Sequence, residues 1–431
     1  MDQTSYALLV GGAMVAVFLV AWWRNVPHII SLILAAITGA LVAGHGLPTR
    51  HLVEGTFMFF DLVLVILTAT IFVGVLRANG SLNVLILDVI RRFHRQPLLL
   101  LSLLTLVVML PGALTGSGTA AVLAVGSLVG SVLIAMGIPP VTTASIIALA
   151  GVVGSFAPPV NIPAMAMANG INMPYVGLFM PLAIISIPLG IGGSLALGAR
   201  YLNRDTDLAA LTAPLESQTT EKPNWVVTYV PFVLVLVLMI GARVFPSVFP
   251  DLGIPLVFVI GTVVALLLKP GINVRKVFQD SVQEAMPVAS ILIGVGAFVQ
   301  IMTLTGVRGL FVVTAVTLPE IALYVFTLVG FVIAGALLGS YGSGTVCGIP
   351  VTLAFLDRDP VLAIIGLSLM AAYSSLTPPT AIVGQAAAMS VRLSAGYSAI
   401  LRKVGLPWLI ASLIGLAIVA FADELSFLVS F

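Results

Sequence analysis

Two short strings in this chain, Gly116-Ser117-Gly118-Thr119 and Gly342-Ser343-Gly344-Thr345, set small residues and hydroxyls inside otherwise apolar sequence. Beyond each lies a proline pair with polar neighbours. Ser155 and Asn161 flank Pro158-Pro159, while Ser375, Thr377 and Thr380 flank Pro378-Pro379. Hydroxyls, an amide oxygen and carbonyls released from helical hydrogen bonding are the ligands a hard cation takes. A helix that begins at a Gly-Ser-Gly-Thr turn offers unpaired N–H groups and the positive end of its dipole, which suit an anion. These stretches contain no Asp or Glu. Proton-coupled carriers need an intramembrane carboxylate, so sodium is the expected ion. Met165 and Gln385 follow the proline pairs and are weaker candidates to line a substrate cavity. The plain alternatives are close helix packing for the small residues, a simple kink for each Pro-Pro, and serines that only bond the preceding turn.

These residues need elements that bring them to one depth. From Thr345 to Leu356 the sequence allows 12 residues before Asp357-Arg358-Asp359. As helix that reaches roughly 18 Å, against a hydrocarbon core of about 30 Å. The stretch cannot cross, so it returns, and the second string is expected at the tip of a re-entrant hairpin. By symmetry the first string is the tip of another. The apolar segments 141–169 and 361–389 have the opposite problem, being long for one span with Pro-Pro near the middle. Proline removes a donor and biases its predecessor away from helix, so each segment is expected to unwind there. Irregular backbone at such depth survives only inside protein or beside a cavity.

The arrangement is duplicated. An offset of 226 pairs the two Gly-Ser-Gly-Thr strings, Gly80 with Gly306 and Phe72-Val73 with Phe298-Val299. Farther on, an offset of 220 pairs Pro140-Val141 with Pro360-Val361, Ser155 with Ser375 and the two Pro-Pro pairs. Of 431 residues 60% are hydrophobic and only 8% charged, where a soluble chain carries about 25% charged residues. The predicted fold class is therefore an all-α polytopic membrane protein. A net charge of +2 with no basic face excludes nucleic acid, and the single Cys347 excludes a disulfide framework. His28, His45, His51 and His94 lie at span ends without metal spacing, so no transition-metal site is expected. The first apolar run, Tyr6–Trp23, lacks a basic leader and a small-residue cleavage site, so it reads as a span.

With the N-terminus outside, 14 of the 18 Lys and Arg residues fall on the cytoplasmic side and only Arg50, Arg243, Arg308 and Arg358 outside. Each half then crosses an odd number of times, which makes the repeats inverted, and inverted repeats suit a carrier that alternates between two open states. Repeat one is 1–200, divided into scaffold helices (1–79), an interfacial arm (80–96) and a transport part (97–200). A polar cytoplasmic linker follows at 201–224, carrying Arg204, Asp205, Asp207, Glu216, Glu221 and Lys222. Repeat two is 225–431, with scaffold helices to 306, an arm at 307–318 and a transport part at 319–431. The first arm is amphipathic, with Leu82, Leu85, Ile86, Val89 and Phe93 on one face. Arms joining a fixed scaffold to a hairpin-bearing unit imply an elevator motion.

The run Gly112-Ala113-Leu114-Thr115-Gly116-Ser117-Gly118-Thr119-Ala120-Ala121, with Met136-Gly137, Pro158-Pro159 and Leu178-Phe179, resembles the large membrane (permease) subunit of TRAP-type transporters, in the ion transporter superfamily. Pro350, Asp359-Pro360 and Thr377-Pro378-Pro379 continue the resemblance. It implies sodium-coupled uptake of a small organic anion such as a dicarboxylate across a bacterial inner membrane. It also implies two partners, a small membrane subunit and a periplasmic substrate-binding protein. Val160-Asn161 and Thr380-Ala381 depart from what that family usually places after its proline pairs. A stand-alone carboxylate carrier and a cation/proton antiporter using Asp61 stay open as alternatives. No nucleophile, base and oxyanion set appears, so an enzyme is not expected.

Overall fold

The structure, a computed structural model, describes residues 3–202, 208–216, 224–244, 248–250, 252–394 and 396–429. Among the described residues, nine helical spans are long and apolar enough to cross a membrane. The first repeat opens with α1 (Gln3–Trp23), α2 (His28–Val42), α3 (Thr49–Thr56) and α4 (Phe60–Ala78). A turn at Gly80, φ 77°, then starts α5 (Ser81–Phe93). Next comes a hairpin of α6 (Pro97–Thr115) and α7 (Gly118–Ala135), and a broken pair, α8 (Pro140–Phe156) and α9 (Ile162–Gly170). The repeat closes with α10 (Phe179–Gly198).

The segment read as a polar linker contains a helix, α11 (Leu208–Glu216), whose Leu211 and Leu215 are fully buried. It packs on α5 and α7, so this part of the linker is docked rather than free. Arg204, Asp205, Asp207, Glu221 and Lys222 lie outside the described residues.

The second repeat runs α12 (Trp225–Val244), α13 (Ile254–Leu268) and α14 (Val274–Leu304). Gly306, also at φ 77°, starts α15 (Val307–Thr317), the counterpart of α5. Then come α16 (Glu320–Gly342), a π-helical stretch (Ser343–Gly348) and α17 (Ile349–Ala354). The broken pair α18 (Pro360–Ser374) and α19 (Ile382–Ser390) precedes α20 (Tyr397–Ala420). Glycine suits the arm starts because left-handed backbone costs it nothing. Pro97, Pro140 and Pro360 stand in first turns, where their missing N–H is no loss.

Two packed groups result. Helix α14 lies against α2, α3 and α4, with α13 beside α4 and α12 packed on α13 and reaching α4 through Phe232 against Phe72. The hairpins and broken pairs form the other group and exchange partners, since α9 packs on Ser343–Gly348 and α19 on α7. Small residues permit these crossings. A Cβ on Gly112 would lie 2.9 Å from the Gly154 carbonyl carbon, and one on Gly118 2.9 Å from the Gly151 oxygen.

The second hairpin turns earlier than its sequence match indicates. Glu320 pairs with Arg358, Tyr324 stacks on Phe355, and Gly330 faces the Cys347 sulfur. All three pairs are centred at or beside Gly339, whose backbone (φ 68°, ψ −168°) only glycine adopts readily. The tip is therefore Gly339-Ser340, and Gly342, Ser343, Gly344 and Thr345 stand in the returning arm. The chain holds two Gly-Ser pairs three residues apart, and the internal match selected the second.

Helix α14 also begins 13 residues before Pro287, where its apolar stretch starts, so Asp280 and Glu284 belong to the same helix.

Candidate functional site

A cavity of about 260 Å³ lies where the two hairpin tips, both helix breaks and α14 meet. Ser117, Gly118 and Thr119 come from the first tip, and Gly339, Ser340 and Tyr341 from the second. Ser155 and Ser375, at the ends of α8 and α18, complete the wall on that side. Facing them on α14 are Gln283, Glu284, Pro287, Val288 and Ile291.

Local geometry explains the first tip. Gly116 takes the left-handed conformation (φ 66°), and Ser117 becomes the N-cap of α7 by accepting from the Ala120 N–H at 3.2 Å. The Thr115 hydroxyl donates to the Pro111 oxygen at 2.7 Å and accepts from the Ser117 N–H at 3.2 Å. That releases the Ala113 carbonyl, which accepts from the Val160 N–H at 3.0 Å. The hairpin is thus bonded to the unwound segment beside it. The tips meet directly, the Tyr341 hydroxyl donating to the Gly116 oxygen at 3.2 Å.

Each Pro-Pro interrupts its helix, as the sequence predicts, and both peptide bonds are cis. Ser155 donates to the Val152 oxygen at 2.8 Å and Ser375 to the Ala372 oxygen at 2.6 Å. With its proton engaged, each hydroxyl oxygen turns lone pairs to its surroundings, which here include the cavity. Thr380 donates to the Gly335 oxygen at 3.2 Å, and the buried Thr377 Oγ1 has no hydrogen-bond partner.

Asn161 is placed differently from the expected cation cage. Fully buried, it caps α9 by accepting from the Ala164 N–H at 3.1 Å. Its Nδ2 donates to the Phe156 oxygen at 3.0 Å and to Ser368 Oγ at 3.2 Å. The side chain spans the break and reaches α18, which makes it a structural staple. The returning arm of the second hairpin is also committed to packing. Ser343 bonds the Ser340 oxygen and Ser374, Thr345 bonds the Tyr341 and Gly342 oxygens, and Pro163 fills the space beside Gly344. Pro158 and Pro159 shape the first break outside the cavity wall, and Pro378 and Pro379 are exposed. Met165 is half-buried on α9 and Gln385 exposed on α19, both away from the cavity.

Sequence reasoning missed the α14 wall. Glu284 lines the cavity and is held by Arg77 of α4, with Nη1–Oε2 at 3.2 Å and Nη2–Oε1 at 3.3 Å. The signal is a carboxylate three residues before a helix-interior proline, masked because the uninterrupted apolar stretch of α14 begins only at that proline. Pro287 also has no N–H to offer the Gln283 carbonyl four residues earlier, so this wall carries a released acceptor.

The family model described as "Tripartite ATP-independent periplasmic transporter, DctM component" matches residues 14–425. The chain belongs to the DctM family. It is accordingly a multi-pass secondary transporter, of a family that works with a small membrane partner and a periplasmic binding protein. Among solved structures, the YdaH transporter of Alcanivorax borkumensis, described as having an unusual topology, is similar at TM-score 0.59 and 16% identity, over 86% of each chain. MtrF of Neisseria gonorrhoeae, described as illuminating a class of antimetabolite efflux pumps, is similar at TM-score 0.55 and 16% identity, over 88% of this chain and 84% of MtrF. At that identity both speak for the DctM chain's fold alone. No curated protein matches the chain in sequence.

Proposed function

We propose that this DctM component couples sodium entry to the import of a small organic anion, a dicarboxylate or similar acid, by an elevator motion. The observation that carries this reading is the single cavity shared by both hairpin tips and both helix breaks. Its contents suit the two solutes separately. The N-terminus of α7 and the backbone after Gly339 turn N–H groups towards an anion. The hydroxyls of Ser117, Thr119, Ser155, Ser340 and Ser375 line the cavity, and in this reading they, Thr377 two residues beyond Ser375, and carbonyls at the breaks are the oxygen ligands for sodium. A volume of about 260 Å³ favours a solute of a few carbons over a drug-sized one.

Hairpins and broken pairs form the moving unit in this reading, and α1–α4 with α12–α14 the fixed one. The arms α5 and α15 join them. The cavity between the two groups is where an elevator carries its cargo. Its Glu284 rim lies towards the C-terminal end of α4, where Lys269 bonds the Asn79 oxygen at 3.3 Å. The charge rule assigns that side to the cytoplasm, with the N-terminus periplasmic. Asp61 is exposed at the start of α4 and Glu284 is neutralised by Arg77, which leaves sodium the better coupling ion than a proton. The small membrane subunit and periplasmic binding protein would complete the system.

The test is the melting temperature of the purified chain in sodium chloride against potassium and choline chloride at equal ionic strength. Sodium at roughly 100 times its Kd adds about 2.7 kcal/mol to the folded state. A sodium-specific rise that shrinks in Ser375→Ala and Thr377→Val, while Asp61→Asn keeps it, is expected. Equal melting in all three salts refutes sodium coupling.

A further inference from the structure

Resting on the reading of an anionic solute, we infer that Glu284 is a built-in competitor for that solute, and that Arg77 is the group they compete for. The cavity's polar ends are unequal. On the hairpin side, anion binding falls to neutral N–H groups and hydroxyls. On the α14 side Glu284 lines the cavity, and behind it the Arg77 guanidinium of α4 clasps that carboxylate through two parallel N–H···O contacts of 3.2 and 3.3 Å. That two-pronged arrangement is how arginine holds any carboxylate, including one on a solute. Glu284 itself lines the cavity, so the carboxylate that a solute would displace is within its reach. Neither partner is sealed away, with Arg77 38% and Glu284 18% exposed at the side chain. The rest of that wall, Pro287, Val288 and Ile291, has no charge to offer.

The helices hold the pair in place. Gly74 of α4 has no side chain where Ser281 of α14 presses against it. The two helices run antiparallel there, Gly55 lying against Gly296 and Gly74 against Ser281, so Arg77 and Glu284 stand on opposite sides of that contact and the long Arg77 side chain spans it. A dicarboxylate then has a partner at each end, the hairpin N–H groups for one carboxylate and Arg77 for the other. A monocarboxylate lacks the second grip. Glu284 returns to Arg77 as the solute leaves, which offsets the attraction that would otherwise trap an anion there. The pair thereby sets both charge selectivity and the ease of release.

The experiment measures binding of succinate and of propionate to the purified full chain by thermal shift, in wild type, Glu284→Gln, Arg77→Gln and the double variant. Glu284→Gln should bind succinate about fivefold tighter, the factor expected when a partly exposed ion pair worth about 1 kcal/mol no longer competes. Propionate should gain less, and Arg77→Gln and the double variant should lose the gain. Should Glu284→Gln fail to fold, Glu284→Asp keeps the charge but shortens the reach, and a smaller gain in the same direction is expected. Unchanged succinate binding in the glutamate variants, binding of succinate by none of them, or a gain that survives loss of Arg77 overturns the inference. The sodium-dependent melting of the wild type reads the coupling mechanism separately, so either idea can fail without the other.

Discussion

Replacing Asn161 by alanine tests whether this side chain is a staple or a ligand, two roles the same residue type can fill. Truncation removes the cap of α9, worth about 1 kcal/mol. It also strips the Phe156 carbonyl of its partner. The N–H four residues on, that of Val160, is spent on the Ala113 oxygen, so nothing in the helix replaces the Asn161 amide. A buried carbonyl left unpaired costs about 1–3 kcal/mol. Ser368 is spared, because its hydroxyl still donates to the Ile365 oxygen at 3.0 Å. The sum is about 2–4 kcal/mol. Asn161→Ser restores the cap but cannot reach Phe156, so it should recover about 1 kcal/mol of that. The assay is thermal unfolding of the detergent-purified chain in choline chloride, where no sodium linkage contributes. At about 2–4 °C per kcal/mol for a 150–250-residue domain, the alanine variant should melt at least about 4 °C below wild type, with serine between them. An alanine variant that melts with wild type in choline yet loses its response to sodium would falsify the staple and restore Asn161 as a cation ligand.

Other expectations follow from single contacts. Gly339→Ala has room for its Cβ but not the backbone, and should lower stability by about 1–3 kcal/mol in a denaturant melt. Equal stability would place the turn elsewhere. Gly112→Ala puts a Cβ 2.9 Å from the Gly154 backbone, so it should force α6 away from α8 and lower both melting temperature and uptake rate. Ser117→Ala removes the α7 cap, with an expected loss of about 1 kcal/mol in choline chloride and a further loss in sodium chloride if the oxygen binds the ion. A loss of the same size in both salts would limit Ser117 to capping.

Much of this architecture was legible in the chain because its causes are local. Apolar length specifies membrane helices, Pro-Pro interrupts them, and glycines such as Gly80 and Gly306 mark where backbones must turn left-handed. Duplication and the asymmetry of Lys and Arg then implied the inverted relation of the halves. The short run before Asp357 required a hairpin whatever its exact tip. Decisions between locally equivalent residues were not legible. Gly339-Ser340 and Gly342-Ser343 are both able to turn, and what selects the first is the matching of the hairpin's arms along their length, Glu320 against Arg358 and Tyr324 against Phe355. The Asn161 amide is chemically fit for an ion or for a carbonyl, and only the position of the Phe156 oxygen commits it. Arg77 and Glu284 are 207 residues apart, and no spacing rule links them. They meet because Gly74 lets α14 come close, a contact that exists only once the two halves have packed.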